Sequence, residues 1–264
     1  MEKKPKIAVL AGFGINCEIE TKYAFELAGA QARIVHLADL LSKKDSLSNY
    51  HCMAIPGGFS FGDDISSGRA YGNKLKYSLW DEMQGFIRQG KLIIGICNGF
   101  QILVKVGLLP NTGGKYAQEA TLYANASGKF GDRWVCLKEE EKSKCIFTKG
   151  ISKIYLPVRH GEGRFMARDG EVMRRLEENG QIALRYCSQS GEIATEYPAN
   201  PNGSQEGIAG VCDRTGKVFG LMPHPECHIF PENHPRFARG ESAESQMGIH
   251  IFRNAVKHIQ KELL

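Results

Sequence analysis

The sequence predicts an α/β fold: a mainly parallel central sheet flanked by helices, with a nucleophile elbow at Cys97. Three observations predict it. In the first half, apolar runs of strand length alternate with helical patterns, and strands separated by helices pair in parallel. One of those runs, Lys91 to Ile96, breaks at Gly95-Ile96-Cys97-Asn98-Gly99 and passes straight into a helix pattern. Finally, 264 residues at 42% hydrophobic can bury a sizeable core, and no repeat or linker divides them, so residues 1–264 read as one domain.

The elements follow in order. Lys6 to Ala11 is a short apolar strand ending in Gly12-Phe13-Gly14. A helix pattern opens at Asn16-Cys17-Glu18 and runs to Ala28, where Gly29 stops it. The Gly12-x-Gly14 turn has the start of a dinucleotide-binding fingerprint, but Cys17 stands at the third glycine position. Ala32 to Leu37 is a second strand, Ser42 to Asn49 a polar loop, and His51 to Ile55 a third strand. That strand runs into Pro56-Gly57-Gly58-Phe59-Ser60-Phe61-Gly62-Asp63-Asp64, a glycine loop at the carboxyl edge of the sheet, where ligands bind. It lacks the Lys of a phosphate-binding P-loop. Asn73 to Gln89 reads as one long amphipathic helix with Leu75, Leu79, Trp80, Met83, Phe86 and Ile87 inward.

After the Cys97 turn, a helix carrying Phe100, Ile102, Leu103 and Val106 ends near Gly107. Asn111 to Lys129 is polar and glycine-rich and holds a formal glycosylation acceptor, Asn125-Ala126-Ser127, which the absence of a secretory signal discounts. The second half is richer in strands: Trp134–Leu137, Ile154–Val158, Ile182–Tyr186, Ile208–Cys212 and Val218–Met222, with a helix at Glu171–Glu178. The last strand breaks into Pro223-His224-Pro225-Glu226-Cys227-His228. A charged loop, Glu232 to Glu241, precedes a terminal amphipathic helix from Ala243 to Glu262.

Composition narrows the function. Net charge is +5 with Lys and Arg dispersed, which gives nucleic-acid binding little support. No run approaches the ~18 apolar residues of a membrane span. Eight cysteines, none in a Cys-x-x-Cys pair, read as reduced thiols rather than a disulfide framework. With no signal peptide, the expected location is cytoplasmic.

Chemistry concentrates at two places. At the elbow, glycines two before and two after Cys97 clear a sharp turn, and the sulfur faces the first free N–H groups of the following helix. That arrangement makes a cysteine a nucleophile; taken alone, it equally suits a structural thiol at a strand end. A nucleophile needs a base and a group that orients the base, and His224 with Glu226 would supply both. Two apart at a strand end, they are expected to project to one side, with Pro225 stiffening the backbone. The rival reading makes His224, Glu226 and His228 three ligands of one divalent metal, and a plain polar turn is a third.

Together, Gly95-Ile96-Cys97-Asn98-Gly99-Phe100-Gln101 and Pro223-His224-Pro225-Glu226 resemble the class I glutamine amidotransferases. Gly14-Ile15-Asn16-Cys17-Glu18, Gly57-Gly58-Phe59-Ser60-Phe61-Gly62-Asp63, His160-Gly161-Glu162-Gly163-Arg164-Phe165 and Asn200-Pro201-Asn202-Gly203-Ser204 resemble, more particularly, the glutaminase subunits of phosphoribosylformylglycinamidine synthases of purine biosynthesis. The likeness runs from Lys6 to the terminal helix. It implies a Cys97 nucleophile that attacks the side-chain amide of L-glutamine, a triad completed by His224 and Glu226, and an oxyanion hole from the N–H groups of Gly58 and Asn98. It further implies substrate contacts at Gln101, His160, Gly161 and Glu162, and no cofactor or metal on this chain. ATP and Mg would belong to a synthetase partner, which receives the ammonia through a channel and is often bridged by a small third subunit. Cys227, where an arginine commonly stands, and the segments 111–129 and 232–241 depart from the pattern and bear on docking. A stand-alone γ-glutamyl hydrolase of this fold and a non-catalytic scaffold or metal-binding module are the alternative functions.

Overall fold

The structure is a computed structural model that describes residues 3–264. Among the described residues eleven strands form: β1 (Lys6–Ala11), β2 (Gln31–His36), β3 (Cys52–Ile55), β4 (Leu92–Ile96), β5 (Ala120–Ala124), β6 (Gly131–Glu139), β7 (Lys153–His160), β8 (Glu162–Ala167), β9 (Ile182–Cys187), β10 (Ile208–Cys212) and β11 (Val218–Leu221). Seven α-helices accompany them: α1 (Glu18–Leu27), α2 (Leu37–Leu41), α3 (Arg69–Ser78), α4 (Trp80–Arg88), α5 (Asn98–Lys105), α6 (Gly170–Glu178) and α7 (Ile249–Glu262). None of the described helices is long and apolar enough to cross a membrane.

Nine strands make one sheet in the order β2-β1-β3-β4-β11-β10-β9-β6-β7, and β5 and β8 form a separate ribbon. From β2 to β11 every pairing is parallel; from β11 through β10, β9 and β6 to β7 every pairing is antiparallel. The expected parallel sheet is therefore the half that carries the elbow, and the strand-rich second half extends it as an antiparallel meander. β3, β4 and β11 are buried along their whole length, which explains their unbroken apolar sequences. α1 packs on β1, β2 and α7, with Phe25 edge-on to Phe252 at 4.9 Å, while α5 lies on β3, β4 and β11 and carries α3.

Three expectations are corrected. The helix predicted over Asn73–Gln89 is two helices, α3 and α4, broken at Leu79, whose ψ of 11° leaves the helical range. Asp81 and Glu82 in the first turn of α4 favour a new N-terminus there, and Leu75, Leu79, Met83 and Phe86 stay buried on both sides of the break. The polar stretch 111–129 contains β5, paired antiparallel with β8. The terminal helix begins at Ile249 rather than Ala243, after a 3₁₀ turn at Glu244–Gln246.

Candidate active site

β4 and β11 are adjacent and parallel, with Ile96 opposite Leu221, so the residues that follow each leave the sheet side by side. Cys97 donates its N–H to Leu221 O at 2.8 Å and turns sharply, with φ 51° and ψ −106°, before α5 starts at Asn98. Holding a non-glycine residue there costs about 1–3 kcal/mol, which the surrounding packing must offset. The neighbouring glycines are required by contact: a Cβ on Gly95 would sit 2.5 Å from Gly99 O, and one on Gly99 only 1.8 Å from Ile55 O. The elbow predicted from sequence is thus present, with the Cys97 side chain buried and Sγ 3.7 Å from Arg159 O.

His224 and Glu226 do meet, by a route the alternation of a strand does not give. β11 ends at Leu221; His224 donates its N–H to Pro157 O at 2.9 Å and heads a 3₁₀ turn over Pro225–Cys227. Pro225 suits the first position of that turn, because its fixed φ is already helical and it has no N–H to leave unpaired. The turn folds Glu226 back until Oε1 lies 2.6 Å from His224 Nδ1, and both side chains are buried. α7 buttresses it: a Cβ on Gly248, just before α7, would sit 2.0 Å from Pro225 O. Burial disfavours an imidazolium at His224, but the Glu226 carboxylate and the thiols of Cys97 and Cys17 outweigh it, so its pKa lies well above the ordinary value. His228 takes no part. Its Nδ1 is 2.7 Å from Tyr155 O and its ring packs edge-on to Trp134, so the His224-Glu226-His228 metal set is not assembled.

The glycine loop closes the other side. Gly57 faces His224, since a Cβ there would come within 2.7 Å of its Cε1. Gly58, at φ +152°, lies against Gly14 O and Ile15 Cα, where any side chain would collide. The Gly12–Gly14 turn supports this loop rather than cradling a phosphate: Phe59 N–H donates to Gly14 O at 2.9 Å, and the N–H groups of Asn16 and Cys17 donate to Gly57 O.

From the elbow a relay of amides reaches β8. Asn98 accepts from Ser60 N–H at 3.1 Å and donates to Asp63 Oδ1 and to Gln101 Oε1; Gln101 Nε2 donates to Glu162 O at 2.5 Å. Gln101 is therefore a brace between α5 and β8, and Gly161 and Glu162 are only half-buried beside it. The imidazole of His160 turns into the protein. Nδ1 donates to Asn125 Oδ1 at 3.1 Å and Nε2 faces Asn202 Nδ2 at 3.5 Å, and burial holds its pKa down at about 3. Asn125 also donates to His160 O and Lys129 O, and at 4% exposure cannot serve as a glycosylation acceptor.

The residue-by-residue reading gave no role to Cys17, Gly57 or Arg159. Cys17 lies in the Gly14–Glu18 motif and Gly57 opens the Gly57–Asp63 motif, and those motifs are their signal in the sequence. Nothing in sequence marks Arg159, whose carbonyl faces Cys97 and whose guanidinium covers Cys227 at 3.8 Å from Sγ. Burial pushes the Cys227 thiol up to about 12.

Comparison with known proteins agrees with this geometry. Residues 4–259 match the model of the CobB/CobQ-like glutamine amidotransferase domain. The chain is 44% identical to phosphoribosylformylglycinamidine synthase subunit PurQ of Methanococcus maripaludis, covering 97% of this chain and 98% of the relative. It is also 44% identical to the PurQ subunit of Dehalococcoides mccartyi, over 96% and 97%. Among solved structures, PurLQS from Thermotoga maritima superposes with a TM-score of 0.73 at 31% identity, covering 97% of this chain and all of that one. With an elbow, a buried imidazole–carboxylate pair and end-to-end likeness to these relatives, the chain belongs to the CobB/CobQ-like glutamine amidotransferases, in the family of phosphoribosylformylglycinamidine synthase PurQ subunits.

Proposed function

We propose that this chain, as one domain over residues 1–264, is the cytoplasmic glutaminase subunit of a phosphoribosylformylglycinamidine synthase. It hydrolyses L-glutamine to glutamate and ammonia. The ammonia passes to a synthetase partner of the PurL type, which binds ATP and Mg and converts formylglycinamide ribonucleotide to formylglycinamidine ribonucleotide in purine biosynthesis. A small bridging subunit completes the assembly. The observation that carries this reading is the buried His224–Glu226 pair just beyond the end of β11, the strand that runs parallel and next to the one leading into Cys97, in a chain of this family.

In this reading Cys97 Sγ attacks the side-chain carbonyl carbon of glutamine. The developing oxyanion is held by the N–H groups of Gly58 and Asn98, each worth roughly 3 kcal/mol in the transition state. His224 hands its proton to the leaving nitrogen, ammonia departs, and a γ-glutamyl thioester remains on Cys97. His224 then takes a proton from the water that attacks the thioester, and glutamate leaves. Glu226, fixed on Nδ1, sets the tautomer and stabilises the imidazolium at both steps. Gln101, Gly161 and Glu162 line the side that receives the amino-acid end of the substrate, and His160 supports that wall from behind.

A glutamine-analogue diazo-ketone should label Cys97. Cys97→Ala, reconstituted with the synthetase, should lose glutamine-dependent synthesis and keep ammonia-dependent synthesis. Labelling at another residue, or glutamine use by the variant, would refute the assignment.

A further inference from the structure

Cys17 is a nucleophilic group at the centre of the site to which the reaction gives no task. Its Sγ, a nitrogen of His224 and a carboxylate oxygen of Glu226 all lie within 4.8 Å of one another. His224 and Glu226 are 3% and 2% exposed, and each keeps one buried atom without a hydrogen-bond partner, Nε2 and Oε2. Cys17 is half-buried, which leaves a way in from solvent.

We propose that Cys17, His224 and Glu226 form an inhibitory site for a thiophilic divalent cation of the zinc class, and this rests on the reading of His224 as the catalytic base. The donor set is one thiolate, one imidazole and one carboxylate, the sulfur, nitrogen and oxygen ligands zinc accepts, with a fourth position left for water. The two anionic donors cancel the charge of the cation, so a buried dication carries no net charge into the core. Binding requires both the Cys17 thiol and the His224 imidazolium to give up a proton to solvent, so it strengthens as pH rises. Once a nitrogen of His224 is bound to the metal the imidazole can no longer shuttle protons, and turnover stops without any change at Cys97. Cys17 is at the N-cap of α1, where Gly57 O anchors its N–H at 3.2 Å, and its Sγ lies 3.4 Å from Asn16 Oδ1.

The test is titration of the full chain with Co²⁺ and Zn²⁺. The wild-type protein should bind one equivalent of Co²⁺ with a thiolate-to-metal charge-transfer band, and Cys97→Ser should keep that band although it cannot turn over glutamine. Cys17→Ser, which leaves a competent helix cap, should lose the band and weaken binding by about 100-fold or more, since even groups behind the ligands are worth 10- to 100-fold. Zn²⁺ should slow wild-type glutamine hydrolysis reversibly, with recovery on chelation, and slow Cys17→Ser far less relative to that variant's own metal-free rate. Absence of stoichiometric Co²⁺ binding, or a band that disappears with Cys97 and survives loss of Cys17, overturns the proposal. Because the Co²⁺ readout in Cys97→Ser needs no turnover, failure of the metal site and failure of the glutaminase reading are told apart.

Discussion

Two buried polar clusters sit a few residues from each other and are built on opposite terms. In the cluster around His160, every member is answered. Asn125 and Asn202 bond both ends of the imidazole, Asn202 also donates to Gly163 O and Tyr186 Oη, and Ser204 closes the loop onto Asn202 Oδ1 at 2.7 Å. Around Cys97, atoms are left over: His224 Nε2, Glu226 Oε2 and Ser60 Oγ are buried and unpartnered, and Cys97 itself holds a strained backbone angle. A satisfied network rigidifies, whereas unmet polar groups in a dry site are the ones a substrate can meet. The difference separates the part that holds its shape from the part that reacts.

The sharpest way to break this contrast is at the reactive cluster. Glu226→Gln keeps size but ends the charge on His224, and glutamine-dependent turnover should fall on the order of 10²- to 10⁴-fold while ammonia-dependent synthesis with the partner is retained. Equal loss of both activities would mean the pair is structural. Next in size, Gly99→Ala forces a methyl onto Ile55 O and should destabilise the fold by about 3 kcal/mol in urea unfolding. Its control is Gly85→Ala in α4, where the nearest atom is 3.9 Å away and the change should be neutral or stabilising by up to about 1 kcal/mol. If both behave alike, close approach is not what the elbow glycines serve.

The satisfied cluster should respond differently. Asn202→Ala strands Ser204 and His160 partners and should cost about 2–3 kcal/mol of stability. Near neutral pH the smallest effect is that of His160, which shows only on acidification. His160 is held neutral down to about pH 3, whereas in the unfolded chain it protonates near 6.5. Between those values the unfolded state binds the extra proton, so this group's contribution is intact above pH 6.5 and drains away as pH falls, at about 1.4 kcal/mol per unit. His160→Gln should flatten the acid limb by that slope; an unchanged slope would show that His160 is not held neutral.

The same contrast explains what could be read from the sequence. The elbow was legible because strain and close approach demand particular residues in order: two glycines around Cys97, and a glycine at φ +152° in the loop opposite. His224 and Glu226 were legible as a pair, although a 3₁₀ turn and not the alternation of a strand brings them together. The His160 cluster shows in the sequence only as separate stretches, His160–Phe165 and Asn200–Ser204, with nothing to say that they meet. It joins residues from β7, β8 and the loops at Asn125 and Asn202, and amides spread so far apart carry no local period. For the same reason β5 and β8 were missed, as their ribbon is defined by each other and not by a strong apolar run. The break at Leu79 was hidden because the buried positions keep helical spacing across it.

The adjacency of β4 and β11 also has a temporal side. The strands that lead into Cys97 and towards His224 are neighbours in space, yet His224 is synthesised 127 residues after Cys97. Domains fold during synthesis as their segments emerge, and pairings between distant segments form late. A growing chain therefore exposes its elbow long before any imidazole stands beside it, and the thiol acquires its partner only when β11 slots in against β4. Reactivity in this fold is a product of completed folding.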